Sequence, residues 1–364
     1  MYGYKLGLKS SGVSTPIAPA ISSVTISGTA VVGQTLTATA SGVTGSPAPT
    51  LSYQWKRGAT NIGTNSSTYP LVQADAGNTS NITCVVTATN ASGSANATSN
   101  TIAQILTART SAFLTASAIS DATIRGGLNT FDIGLIANSL DTKMRAIYPF
   151  VGGTSSTHRW NFMDARDLDA AFRLAFSGTI THSANGAQGN GVNGYADSFF
   201  IANNNGLSVN NNHLSVYSRT SAASTGTQFY EMGSGNLDGT TSLTSIFTRR
   251  PNNLSGYDSG FFTNNRASYT SSDGAGFYVG KVNNDLTSKL FRNGVQVATK
   301  VITSQAGLSS FKNYVLGFNE NDSIIYYSPK QIAFASMGTG LSDAEATTFY
   351  NLVQSLQTTL GRQV

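Results

Sequence analysis

The sequence predicts an all-β chain with minor helices, arranged as two β-sandwiches in series. Three observations carry that prediction. Only 11% of the 364 residues are charged, and Gly, Ser, Thr and Asn take their place, as in turn-rich β proteins. Short alternating runs of apolar and polar residues recur between turn signals along most of the chain, the pattern of half-buried strands. Helical spacing is confined to two segments, near 121–137 and 343–360.

Residues 1–20 form the first element, an arm. Tyr2, Tyr4, Leu6 and Leu8 alternate with Gly3, Lys5, Gly7 and Lys9, so one face of an extended segment is apolar. The arm is too short to bury that face alone, and Pro16 and Pro19 set it apart. A frayed terminus is the plain reading. Strand addition to a neighbour, anchoring the protein through Tyr2, Tyr4, Leu6 and Leu8, is the functional one.

Residues 21–105 come next. SVTISG, QTLTATASG, LSYQWKRG, STYPLVQ and NITCVVTATN read as strands. Leu51, Tyr53 and Trp55 share one face of their strand, and Ile82, Cys84 and Val86 one face of theirs. A tryptophan followed about thirty residues later by a cysteine is an immunoglobulin-like spacing. The stretch resembles bacterial and phage Ig-like modules of the YQW…DAG…VTATN type. It departs from antibody domains at two points. Leu36 and Ala38 stand where the partner cysteine would be, and Ile82 replaces the corner tyrosine. Cys84, the only cysteine, therefore reads as a small buried hydrophobe.

Residues 106–364 form the larger unit. Ile124, Leu128, Phe131 and Leu135 make one helical face, with Ser120 as the expected N-cap. At the other end Ser342 and Glu345 form a capping box, followed by the stripe Phe349, Leu352, Val353, Leu356 and Leu360. Between the helices lie about a dozen strand-like runs, the content of a two-sheet jelly-roll sandwich. In LFRNGVQVA, Asn293-Gly294 supplies the two positive φ angles of a tight hairpin. KLFRNGVQVA with a later strand and capped helix resembles concanavalin A-like (laminin-G-like) sandwiches. MRAIYPFVGGTSSTHRWN, RDLDAAFRLAFSGTITHS, GNGVNGYADSFF, HLSVYSRT and LSDAEATTFYNLVQSLQTTLG together resemble a domain of tailed-bacteriophage virion surface proteins, over roughly residues 120–364. The resemblance implies a head fibre or capsid decoration protein. A tail fibre or tail appendage adhesin is the alternative, and a glycan depolymerase the second.

Composition narrows the function classes. The net charge is +5, but residues 1–105 carry four basic groups and one acid while the remainder carries eighteen and sixteen, with no basic stripe. Nucleic acid is not an expected partner. The N-terminus lacks the apolar core of a signal peptide, and no run of about twenty apolar residues suggests a membrane span. The expected localisation is a virion surface, with assembly in the host cytoplasm and association into homo-oligomers.

Catalytic constellations are sparse. Gly189-x-Gly191-x-x-Gly194 has dinucleotide-loop spacing, but YADSFF after it reads as strand and no acid lies between Asp197 and Glu231. The glycines are expected in a tight β crossing instead. His158, His182 and His213 are far apart in sequence and show no ligand spacing, so no zinc site is expected; plentiful Asp and Asn oxygens leave calcium open although no D-x-D-x-D-G loop occurs, and no metal or cofactor is assigned. The glutamates are only Glu231, Glu320 and Glu345, the last a helix cap. Asp167 and Asp169 lie at a turn, where aspartates satisfy free amides. The expectation is a non-enzyme. Recognition remains. Residues 251–273 are rich in Tyr, Asn, Ser and Asp, and Tyr257, Asp258, Asn264, Arg266 and Tyr269 are the candidate glycan- or receptor-binding residues. Trp55 and Trp160 read as core anchors.

Overall fold

A computed structural model describes residues 15–223, 228–236, 242–260, 265–303 and 307–364. The chain divides into two compact units, Met1–Ala108 and Arg109–Val364. Tyr2, Tyr4, Leu6 and Leu8 lie outside the described residues.

The first unit contains β1 (Ile17–Ala20), β2 (Ser23–Ser27), β3 (Thr35–Ser41), β4 (Thr44–Ser46), β5 (Thr50–Arg57), β6 (Thr60–Ile62), β7 (Thr68–Pro70), β8 (Ile82–Asn90) and β9 (Gly93–Thr98). Thus residues 17–20, assigned to the arm by sequence, form a strand paired with β4. The sheet β2-β3-β7 and the sheet β6-β5-β8-β9 supply the core. Trp55 and Cys84 are direct register partners, both 0% exposed. Leu36 and Ala38 fill the space a disulfide would take, and burial pushes the Cys84 thiol up to about 11. The indole Nε1 of Trp55 donates to the Ser66 carbonyl at 2.9 Å.

Asp75 is the polar centre of this unit. It is fully buried and accepts from Arg57 Nε at 2.9 Å, Tyr69 Oη at 2.9 Å and the Val72 amide at 2.8 Å. Removing one partner of a buried ion pair leaves a charge without compensation. Asp75→Ala is therefore expected to destabilise this unit by about 3 kcal/mol. Urea unfolding followed by Trp55 fluorescence in a Trp160→Phe background reads the loss, and an unchanged midpoint contradicts it.

The second unit opens with α1 (Ala108–Ser117) and α2 (Ala122–Ala137). Its strands are β10 (Met144–Tyr148), β11 (Ala175–Ser177), β12 (Ile180–Ser183), β13 (Gly186–Gly189), β14 (Tyr195–Ile201), β15 (Asn211–Ser218), β16 (Met232–Gly235) and β17 (Leu243–Phe247). There follow β18 (Leu254–Ser259), β19 (Ala267–Thr270), β20 (Gly276–Asn283), β21 (Thr287–Arg292), β22 (Val295–Val301), β23 (Lys312–Val315), β24 (Phe318–Glu320), β25 (Ser323–Ile325) and β26 (Gln331–Gly338). A four-residue turn, α3 (Ser155–His158), follows β10, and α4 (Asp343–Thr359) follows β26.

These strands form a two-sheet sandwich. One sheet runs β12-β13-β26-β15-β20-β21-β22, with β10 also on β26. The other runs β11-β14-β23-β16-β17-β18-β19, with β24 on β16 and β25 on β24. The main core lies between them, and Tyr148, Phe200, Val216, Met232, Ile246, Tyr257 and Val315 belong to it. Helix α4 backs the first sheet: the Phe349 ring lies 5.5 Å from Phe277 and 5.9 Å from Phe334. Gly127 and Gly134, poor helix formers, allow α2 to approach α4, because a Cβ there would press on Leu356 and Leu352. The N-cap of α2 is Asp121, not Ser120, and its carboxylate accepts the Ile124 amide at 2.8 Å. The capping box of α4 is formed: Ser342 Oγ accepts the Glu345 amide at 3.1 Å and Glu345 accepts the Ser342 amide at 2.7 Å.

The local signals at two glycine sites translate directly into backbone. Asn293 (φ 49°) and Gly294 (φ 76°) turn β21 into β22. In the 189–194 segment the chain leaves β13, turns, and enters β14 with no helix at Tyr195. Gly191 has φ 74°, while a Cβ at Gly189 or Gly194 would collide with the carbonyl oxygens of Ser328 or Thr179.

Candidate functional site: the outer face of the nine-stranded sheet

While α4 backs the first sheet, the second sheet has an outer face of its own. Strand register lays one row of residues across it: Ala175, Asp197, Tyr314, Gly233, Ser245 and Asp258 are consecutive partners. Their neighbours Ala196, Met232, Ile246 and Tyr257 point inward, into the core, as a period of two requires.

The middle of this face is covered. Tyr230, Leu243, Phe247 and Phe318 form a second small core, with Leu254, Ile325 and Tyr326 packed on it. Gly233 admits Phe318 and Gly256 admits the Phe247 ring, each at a position where a Cβ would clash. Asp258 is fully buried here and takes Arg266 in a two-point pair, Nε at 2.8 Å and Nη2 at 3.0 Å, with Ser245 Oγ at 2.7 Å.

Toward β11 the face is more open. Tyr195 and Tyr327 are half-buried and Tyr314 is 9% exposed. The Tyr195 ring lies 4.9 Å from Tyr314 and 6.3 Å from Tyr327. Beside them Lys312 Nζ reaches Asp197 at 3.1 Å, and Asp197 also accepts the Phe199 amide at 2.7 Å. Phe199 has φ 56°, and its ring receives Arg173 at 5.5 Å and Lys312 at 4.8 Å. Burial first, then the Asp197 charge, pushes the Tyr314 hydroxyl up to about 12, so it remains a neutral donor. Four rings, a carboxylate and two cations thus share a small area of strand surface.

Several sequence expectations are corrected by this geometry. Tyr257 is 0% exposed; its ring packs over Gly280 of the opposite sheet and its hydroxyl donates to Asn212, so it cannot touch a ligand. Asp258 is consumed by Arg266 and Ser245, and the Arg266 side chain is 12% exposed. Tyr269 packs on the main core with its hydroxyl 3.4 Å from that of Tyr278. Asn264 lies outside the described residues. Trp160 is half-buried, not a core anchor, with Arg159 over its ring at 5.2 Å. Asp167 and Asp169 pair with Arg159 and Arg173 rather than with amides.

The histidines were read as separate, yet two of them meet. His158 Nδ1 lies 3.0 Å from His182 Nδ1, and the Gly153 amide donates to His158 Nε2 at 3.2 Å. The proton of His158 is therefore on Nδ1 and points at His182. Burial, then the His182 and Arg362 charges, lowers His158 to about 3. Among the described residues no three His, Cys, Asp or Glu side chains gather as a metal site, and no helix is long and apolar enough to cross a membrane.

Neither a protein-family model nor a curated protein matches the chain. Partial likenesses are found among solved structures. One is the NanB sialidase of Streptococcus pneumoniae, at 16% identity and TM-score 0.31, covering 39% of this chain and 24% of that one; this chain thus spans about a quarter of the sialidase. Another is the CBM40 of the Ruminococcus gnavus IT-sialidase bound to α2,3-sialyllactose, at 14% identity and TM-score 0.29, covering 38% and 80%. A third is domain 4 of AbnA, a GH43 extracellular arabinanase from Geobacillus stearothermophilus, with arabinotriose, at 15% identity and TM-score 0.36, covering 57% and 98%.

Proposed function

We propose that this chain is a non-enzymatic surface protein of a tailed-phage particle, a head fibre or capsid decoration, whose larger sandwich binds glycans through the Tyr195–Tyr314–Tyr327 face. The tyrosine cluster carries the reading. Aromatic rings on a rigid strand surface stack on the apolar faces of sugar rings, and the neighbouring Asp197, Lys312 and Tyr314 hydroxyl supply hydrogen bonds to sugar hydroxyls. The site is shallow, so affinity per copy is about millimolar, and many copies on one particle convert it to useful avidity.

The carboxylates favour binding over hydrolysis. Glu231 is buried and accepts the amide and hydroxyl of Thr248, Glu345 caps α4 and pairs with Lys143, and Asp258 is tied to Arg266. Each has a structural partner in place of a substrate bond.

The test is a glycan array with the full chain, followed by titration of a ligand it reveals. The Tyr195→Ala, Tyr314→Ala double variant is expected to bind at least tenfold more weakly, about 1.4 kcal/mol or more, with no loss of folded signal. Wild-type protein that binds no sugar overturns the glycan reading. Labelling of assembled particles with an antibody to the chain tests placement: label on the head supports it, and label on the tail or on no particle overturns it.

A further inference from the structure

Strand β11 is an edge strand of the second sheet, and a recess open to solvent lies beside it. Its volume is about 310 Å³, and Ser155, Ser156, Arg159, Arg173, Ala175 and Phe176 line it. Small-ligand sites hold roughly 300–1,000 Å³, so this one has room for a single sugar ring. Its walls are fixed to one another. The Leu174 amide donates to the Arg159 carbonyl at 2.7 Å. The Phe176 ring meets the His182 ring at 4.6 Å, and His182 Nδ1 lies 3.0 Å from His158 Nδ1 in α3. A recess held in shape before its ligand arrives gives up little freedom on binding.

The charges in the recess select a neutral ligand. Arg159 Nη2 is held by Asp167 at 2.6 Å and Arg173 Nη2 by Asp169 at 2.7 Å. Two cations thus face two carboxylates, and an anion gains little there. A guanidinium carries five N–H groups, so each arginine keeps donors for a ligand. The Asp167 and Asp169 side chains are more than half exposed, and their oxygens can accept further bonds. A guanidinium paired with a carboxylate donates to one sugar hydroxyl and accepts from the next. Ser155 and Ser156 add hydroxyls, and Phe176 supplies an apolar ring.

The recess adjoins the tyrosine cluster. The Arg173 guanidinium lies over the Phe199 ring, which also receives Lys312, the partner of Asp197. Ala175, Asp197 and Tyr314 are consecutive register partners. Adjacent strands lie about 4.8 Å apart, so Ala175 and Tyr314 are about 10 Å apart, too far for one ring to touch both. We propose that the recess is a second sugar subsite, which holds one neutral ring at the sheet edge while the remainder of the same chain crosses Tyr314 and Tyr195. The class of ligand is thus a neutral oligosaccharide of three or more units. This rests on the glycan-binding reading of the same face.

The full chain is titrated with cello-, malto-, xylo- and arabino-oligosaccharides of two to six units. In a series that binds, affinity is expected to rise at least tenfold from two units to four. Ser155→Trp, at an exposed residue, fills the recess, and Arg173→Gln removes its guanidinium. Each is expected to abolish the rise, so that four units bind no better than two. Tyr195→Ala with Tyr314→Ala is expected to weaken binding at every length. Circular dichroism confirms that each variant is folded. Affinity independent of length in the wild type, or a rise that survives in either folded variant, overturns the subsite and leaves the glycan reading standing. Absence of binding in every series overturns both.

Discussion

Arg362→Met is expected to destabilise the larger unit by about 4 kcal/mol and lower its melting temperature by about 10 °C. Arg362 is 1% exposed, and its side-chain hydrogen bonds among the described residues go to no carboxylate. It is held by neutral acceptors: Gln357 Oε1 at 2.7 Å, and the carbonyls of Phe150 at 2.7 Å, Pro149 at 2.6 Å, Ala333 at 3.0 Å and Ala184 at 3.2 Å. All five N–H groups of the guanidinium are used, a geometry only arginine offers. Burial, with Arg219 next, lowers its pKa to about 9, so it remains charged at neutral pH. Methionine fills the volume but leaves the carbonyls without donors, and lysine can serve at most three of them. Thermal unfolding followed by circular dichroism measures the loss. Arg166→Ala, at a surface pair with Asp164, is the control and should leave the melting temperature unchanged. Equal melting of the Arg362→Met variant and wild type contradicts the assignment.

The second large effect is acid lability. His213 is fully buried, with Nδ1 2.6 Å from the Thr339 carbonyl, and burial above all lowers it to about 4. His158 sits at about 3, and burial lowers His182 as well. Unfolded, each takes a proton near pH 6.5; folded, His213 and His158 refuse it until far lower pH. Below pH 6.5 the unfolded chain therefore binds more protons, and the stability present above that value drains away toward pH 4 and 3. Between pH 6.5 and 4.5, His158 and His213 together are expected to cost about 5 kcal/mol. Urea midpoints at pH 7.5 and 4.5 measure this. His158→Gln with His213→Gln should flatten the dependence; a wild-type midpoint constant across the window contradicts it.

The features legible in the sequence were those set by adjacent residues. Asn293-Gly294, the Ser342–Glu345 box and the glycines of 189–194 each act through local backbone geometry, and each took the expected form. Helix α1 was not legible, because ARTSAFLTAS has only Phe113 and Leu114 as large apolar residues and thus no repeating stripe. Of the site residues expected from the sequence, Tyr257 and Asp258 proved buried. The proposed tyrosine face was not legible, because Tyr195, Tyr314 and Tyr327 come from segments far apart in sequence and are joined by sheet register. One signal within 251–273 was available: in SGYDS a period of two sends Tyr257 and Asp258 to opposite faces, so they could not share one surface. His158 and His182 carried no local sign of contact, since β12 and α3 meet only through the fold.

Strand β26 pairs with β10, β13 and β15 at once, and this sets the order of folding during synthesis. Ser215 on β15 waits for Ser336, 121 residues later in the chain, before its hydroxyl finds its partner at 2.6 Å. On the ribosome, strands β10 to β22 emerge with the middle of their sheet vacant and their edges open. Closure of so long a loop is slow. Most of the larger unit must therefore leave the ribosome before its first sheet can close.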